Sequence, residues 1–297
     1  MSTPVRPRRS ALYVPGSNAR ALEKARGLPA DALILDLEDA VAPSAKEAAR
    51  AQVAAALAAG GFGRREKVVR VNGLATRWGL ADLEGIARAG PDAICLPKVE
   101  GPEPVEAAAD LLRRAGAPES TALWCAIETP RGVLAARQIA ASPRVACLVA
   151  GTSDLVKELR ARQTPGRAEV LTSLGLLLLA ARAQGVAALD GVFLDLGDPA
   201  GLEASCRLGR DLGFDGKTVL HPSQLEVANR IFAPDAAELD EARRIIAAHA
   251  AAEAAGRGVV VVEGRVIEAL HVEAARRLLA LAEAIEPGGQ PGAGRPR

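Results

Sequence analysis

The chain has 297 residues, 49% hydrophobic but only 2% aromatic, so a core large enough for an α/β domain must be built from Ala, Leu and Val. Its 37 basic and 36 acidic residues leave a net charge of +1, which gives no electrostatic basis for binding nucleic acid or a membrane surface. No apolar run is long enough to span a bilayer, and the start, MSTPVRPRRS, lacks the apolar stretch of a secretory signal.

Residues 1–9 are basic and rich in proline and read as a flexible arm. Residues 11–14 form a short apolar run stopped by Pro15-Gly16, and 17–27 read as a helix. The next apolar run, 32–35, ends in Asp36-Leu37-Glu38-Asp39. Ser44-Ala45-Lys46-Glu47 has the form of a capping box opening an Ala-rich helix to about residue 58. Strand-like runs follow at 68–71, ending around Arg70 and Asn72, and at 93–96, closed by Pro97-Lys98, with helical stretches over 81–89 and 105–115. Two apolar runs then end in carboxylates. Residues 123–127 deliver Glu128, with Thr129 and Pro130 as N-cap and first residue of a helix, and 146–150 pass through Gly151 to Asp154. A helix over 170–184, a strand within 187–196 carrying Asp190, a helix over 202–212 and a strand over 217–220 ending at His221-Pro222 complete the series.

About eight strand–helix repeats is the count of a TIM barrel, placed at 10–233. The strands are continuous apolar runs, as expected where both faces are buried. A doubly wound open sheet is the alternative, but no G-x-G-x-x-G follows the first strand. Beyond the barrel, Pro234-Asp235-Ala236 starts a helix running to about residue 255. Residues 259–262 and 266–267 flank Glu263-Gly264-Arg265 as a β-hairpin, and Glu268 and His271 lead into a helix over 272–285. This segment, 234–286, precedes a Gly- and Pro-rich tail, 287–297, that reads as disordered. The four cysteines, Cys95, Cys125, Cys147 and Cys206, lack ligand-like spacing and read as buried free thiols of a cytoplasmic protein.

Enzyme sites of TIM barrels lie at the carboxyl ends of the strands. Those ends carry Asp36, Glu38, Asp39, Arg70, Asn72, Lys98, Glu128, Asp154, Asp190 and His221. Any one of them is compatible with a helix cap or surface ion pair. Glu128 alone reads as a cap, and Asp154 alone as a solvated loop residue. As a pair at neighbouring strand ends they suit one hard divalent cation, because Mg²⁺ takes few protein carboxylates and keeps positions for water or substrate. Arg70, inside VVRVN, is costly to bury unpaired. It is either in a structural ion pair with Asp36 or Glu38, or a fixed guanidinium aimed at an oxyanion.

The stretches RRSALYVPGSNARALEKA, LILDLEDAVAPSAKEAAR, RVNGLATRWGLADLEGI, LPKVE, AIETPRGV, GTSDL and LGFDGKTVLHPSQLEVANRIFAP resemble the citrate lyase β-subunit-like branch of the HpcH/HpaI aldolase superfamily, over about residues 8–285. The resemblance implies a TIM barrel with a C-terminal lid shared between subunits, Mg²⁺ dependence, and a homo-oligomer, trimer or hexamer. It also implies cleavage, or the reverse condensation, of a 3-hydroxyacyl-CoA ester such as citryl-, malyl- or citramalyl-CoA. By position it makes Glu128 and Asp154 the metal ligands, and Glu38 and Asp39 the groups that hold metal-bound water. Arg70 becomes the substrate-binding and charge-stabilising arginine. Gly151, Thr152 and Ser153 lie in the turn beside the substrate carboxylate, and Tyr13, Arg20 and Lys24 fall where the family meets CoA.

Two departures stand out. Ser153 occupies a position usually held by Glu, and Glu268 replaces an Asp that serves as acid/base in the lid. The longer Glu268 would still carry a proton to the thioester enolate, although a reach error of about 1 Å can cost ~100-fold in rate. The expected function is therefore a Mg²⁺-dependent carbon–carbon lyase, with a thioesterase on the same scaffold and a non-catalytic or complex-bound β-subunit as the alternatives.

Overall fold

Each apolar run is followed by a stretch with helical periodicity, and this alternation forces parallel pairing, since the chain must return along a helix before the next strand begins. The computed structural model describes residues 5–256 and 259–285. The expected tail at 287–297, and the first four residues of the expected arm, lie outside the described residues. Two compact units separate, one spanning Arg8–Phe232 and the other taking the chain from Ala233 together with the N-terminal residues up to Pro7.

In the first unit the order is β1 Ser10–Pro15, α1 Ala19–Ala25, β2 Ala32–Asp36, α2 Lys46–Ala59, β3 Glu66–Arg70, α3 Gly79–Ala87, β4 Ala93–Leu96 and α4 Pro102–Arg114. It continues with β5 Ala122–Ile127, α5 Pro130–Ala140, β6 Val145–Ala150, α6 Thr152–Glu158, α7 Leu171–Gln184, β7 Ala187–Asp190, α8 Pro199–Leu212, β8 Gly216–Val219 and α9 Leu225–Ile231. The eight strands close into a barrel in sequence order, each parallel to its neighbour, with β8 returning to β1. This is the TIM barrel expected from the repeats. Short α6, of 7 residues, is an additional helix between β6 and the barrel helix α7.

The barrel has two apolar layers. Inside lie Ala11, Ala32, Ile34, Val68, Ala93, Cys95, Trp124, Cys147, Val149 and Leu189, all fully buried. Small residues on most strands leave room for the Trp124 indole, which fills the interior at 0% exposure. The alternate residues of the same strands point outward and pack on the helices as the larger core. At the floor, Arg8 donates to both carboxylate oxygens of Glu66 at 2.7 and 2.8 Å, and its guanidinium lies 5.3 Å from the Trp124 ring centre. Arg9 likewise grips Asp31. These two residues, expected in a flexible arm, are therefore fixed by ion pairs that the sequence separation concealed.

The expected capping box at Ser44 is not formed. Pro43 starts a 3₁₀ turn, Pro43–Ala45, and α2 begins after Ala45 with no side-chain cap. Proline's preset φ starts the helical turn early and passes over Ser44. Thr129 does cap α5, its Oγ accepting from Gly132 N at 3.1 Å, with Pro130 at the first position.

In the second unit α10 Ala236–Ala254 is opened by a reciprocal capping box between Asp235 and Glu238. A hairpin of β9 Val260–Val262 and β10 Arg265–Ile267 follows, and then α11 Ala269–Ile285, which packs on α10. Glu263 and Gly264 form the two-residue turn with φ of 49° and 81°, the left-handed pair that matches hairpin twist. No helix among the described residues is long and apolar enough to cross a membrane.

Candidate active site

The barrel mouth is set by the two-residue period of its strands. Ile34 and Val68 face inward, so Asp36 and Arg70, two residues further on, do too. They are also register partners, Asp36↔Arg70. Arg70 Nε and Nη2 each donate to Asp36 at 2.7 Å. One edge of the guanidinium, Nε and Nη2, is thus engaged in a structural pair. Its remaining corner, Nη1, lies 2.8 Å from Glu38 Oε2 and 3.3 Å from Asp39 Oδ2. Of the two readings of Arg70, the ion pair with Asp36 is built, and it leaves the Nη1/Nη2 edge of the guanidinium outside that pair.

Asp36 also shapes the acid loop. Its Oδ1 accepts from Glu38 N at 2.9 Å and its Oδ2 from Ala40 N at 3.0 Å, a local turn typical of Asp. Lys46 holds the loop from behind. Its buried ammonium donates to Leu37 O, Glu38 O and Asn72 Oδ1 at 2.8, 2.8 and 2.7 Å. Asn72 in turn donates to Asp82, which also takes Arg50 Nε at 2.7 Å. Asn72, expected on the polar ring, is thus a strut beneath it. Lys46 and Asp82 were not singled out from the sequence, because their partners lie 8 to 32 positions away.

Glu128 leaves the end of β5 buried, with Oε1 accepting from Lys98 N at 2.7 Å. Lys98 itself has φ of 49°, an uncommon conformation for a residue with a side chain. The end of β6 runs against Glu128. A methyl group on Gly151 would overlap Glu128 Cβ and stand 2.5 Å from Oε2, so only glycine lets the two strand ends approach this closely. The same turn opens α6, with Thr152 buried, Ser153 exposed and Asp154 half-buried in its first turn.

Electrostatics joins these groups. Burial pushes the Glu128 carboxyl up, the Lys98 amide works against this, and Asp154 raises it further. Glu38 is pushed up to about 7, by burial first, with Arg70 opposing and Asp39, Glu128 and Asp36 adding to it. Burial lowers Lys98, but Asp154, Glu38, Glu128 and Asp39 outweigh it and hold its ammonium above the ordinary lysine value. Four acids therefore share one field. Buried Glu38 Oε2 has no hydrogen-bond donor among the described residues; its contact with Arg70 is one of charge and not of alignment. No three His, Cys, Asp or Glu side chains converge among the described residues. Two carboxylates from adjacent strand ends, with excess negative charge around them, fit a hydrated divalent cation of the Mg²⁺ kind better than an all-protein cage.

Tyr13 is brought to the mouth, stacked 4.8 Å from the Arg70 guanidinium. Arg20 and Lys24 lie one turn apart on the exposed face of α1. Two expected ring members do not belong. Asp190 follows inward-facing Leu189 and so points outward, where Lys217 and Arg167 clasp it. His221 is spent on a local cap, accepting from Ser223 N. Glu268 lies exposed in the second unit, its N–H donating to His271 Nδ1 at 3.0 Å.

The model of the HpcH/HpaI aldolase/citrate lyase family matches residues 9–222. The chain belongs to this family. As a member of the HpcH/HpaI aldolase/citrate lyase family it is 50% identical, over 96% of its length and 98% of the relative, to a (3S)-malyl-CoA thioesterase of Cereibacter sphaeroides. It is 39% identical, over 94% of both chains, to citrate lyase subunit beta of Escherichia coli. Among solved structures, CitE from Mycobacterium tuberculosis in complex with magnesium, acetoacetate and coenzyme A is 32% identical. That match covers 92% of this chain and 97% of CitE, with a TM-score of 0.75.

Proposed function

We propose that this protein hydrolyses the thioester of a 3-hydroxyacyl-CoA of the malyl-CoA type, with Mg²⁺ as its metal. The observation that carries this reading is the 50% identity, over nearly the whole of both chains, to a relative named (3S)-malyl-CoA thioesterase. The Mg²⁺- and CoA-bound CitE structure supports the metal and the CoA handle.

Glu128 and Asp154 would hold the metal, which when bound supplies Lewis-acid polarisation of a substrate oxygen. Gly151 keeps Glu128 in place, and the Lys98 amide ties down Oε1 so that Oε2 is left for the cation. Glu38, whose Oε2 has no donor, would take a proton from the attacking water. The water oxygen bonds to the thioester carbon, the C–S bond breaks, and Glu38 returns the proton to the leaving sulfur. Nη1 of Arg70, which Asp36 does not engage and which lies 2.8 Å from Glu38 Oε2, would stabilise the oxyanion. The Gly151-Thr152-Ser153 turn would meet the substrate carboxylate, and Tyr13, Arg20 and Lys24 the CoA. Four buried free thiols suit a reducing cytoplasm, and a homotrimer or hexamer completes the proposal.

A second reading, carbon–carbon cleavage, rests on the 39% identity to citrate lyase subunit beta. In it Glu268 would protonate the thioester enolate.

The test is (3S)-malyl-CoA with Mg²⁺, assayed in parallel for free thiol and for glyoxylate. Thiol with intact malate, abolished by EDTA, is the expected result. Glyoxylate without early thiol would replace hydrolysis by the lyase reading. Thiol release untouched by EDTA would remove the metal from the mechanism. Gly151→Ala is expected to weaken Mg²⁺ binding by about 10- to 100-fold, the range seen when a ligand's support is disturbed. A Mg²⁺ titration by calorimetry checks it, and an unchanged affinity would mean that Glu128 is not a ligand.

A further inference from the structure

A cleft of about 640 Å³ lies in the outer helical layer, lined by Arg50 from α2, by Glu84 and Gly85 from α3, by Arg88 at its C-cap, and by Leu111 and Arg114 from α4. None of these residues belongs to the barrel mouth. The volume is that of a small-molecule site. Three arginines and one glutamate line it; Arg50 is paired with buried Asp82, so Arg88 and Arg114 against Glu84 leave a small excess of positive charge.

Two of the arginines are fixed through Nε alone. Arg50 Nε donates to buried Asp82 at 2.7 Å, and Arg88 Nε donates to Ala115 O at 3.2 Å. Both leave their Nη groups for another partner. Among the described residues no carboxylate lies within ion-pair distance of Arg88 or Arg114. Gly85 is part of the construction. A methyl group there would stand 2.8 Å from Arg50 Cδ, so glycine lets the Arg50 stem lie across α3 toward the cleft. Guanidinium groups held in this way bind phosphate oxygens with little ordering cost. Leu111, half-buried beside them, adds an apolar wall.

We propose that this cleft is a second binding site, separate from the barrel mouth, for a small phosphate-bearing organic anion. Phosphate is the recognised chemistry, and the apolar wall favours an organic carrier over an inorganic polyphosphate.

Calorimetry on the full-length protein, in metal-free buffer, tests it with fructose 1,6-bisphosphate and inorganic pyrophosphate as probes. Both are expected to bind, the organic probe more tightly. Tighter binding of pyrophosphate would keep the site and overturn the organic carrier. The double variant Arg88→Ala, Arg114→Ala removes only exposed side chains, so its melting temperature should be unchanged while both affinities fall at least 10-fold. Glu128→Gln should leave them within 3-fold. Three results would overturn the site: no heat at millimolar probe, affinity unchanged in the double variant, or affinity lost in Arg70→Ala instead.

Discussion

Replacing Glu128 by Gln is expected to lower turnover of the CoA thioester by about 10³-fold, the rate equivalent of losing several kcal/mol of metal-ion stabilisation. The fold should survive. Gln keeps an oxygen for the Lys98 amide, and the substitution removes a buried carboxylate already pushed up by burial and by Asp154. The melting temperature without metal should therefore hold or rise. What should disappear is the shift produced by Mg²⁺. A ligand at 100 times its dissociation constant stabilises the native state by about 2.7 kcal/mol, and a variant that cannot bind it gains nothing. Thermal melts of both proteins, with and without Mg²⁺, read this directly. A full Mg²⁺ shift in Glu128→Gln would show that the cation sits elsewhere, whatever happens to the rate.

Asp190→Asn should act in the opposite way, on stability and not on chemistry. Asp190 is fully buried behind the barrel wall, with Lys217 Nζ at 2.7 Å on Oδ2 and Arg167 bridging both oxygens. Removing its charge strands two cations in a dry site, at a cost of about 3–5 kcal/mol. Lys217→Met leaves the Asp190–Arg167 pair intact and should be far milder. Urea denaturation separates the two variants, and activity per folded molecule should be retained in both. A dead but stable Asp190→Asn protein would return Asp190 to the active site.

The acid limb of stability has the same origin. Burial raises Asp190, but Lys217 and Arg167 outweigh it and hold the folded carboxyl below the ordinary aspartate value. The unfolded chain then binds the proton more readily. The contribution is present above the ordinary aspartate range and is lost as pH falls through the lower folded value. Denaturation midpoints between pH 3 and 6 should show this slope in the wild type and lose it in Asp190→Asn.

The sequence alone determined the barrel. Its strands are short continuous apolar runs, its helices recur after each, and every observed strand lies within about two residues of a predicted run except at β7, where the apolar stretch continues past Asp190 into a loop. It also pointed to Glu128 and Asp154, because a carboxylate that ends an apolar run is visible without any partner. Which way a side chain faces was not legible. Strands buried on both faces carry no polar–apolar alternation, so the parity that sends Asp36 and Arg70 into the mouth and Asp190 and Lys217 out to the helices is set by barrel closure and register. The same holds for Lys46, Asn72 and Asp82, whose bonds join residues far apart in the chain. Local pattern writes the elements. Only their assembly decides which charges meet, because pairing energy depends on distance in space, and the chain brings distant positions together only after it has folded.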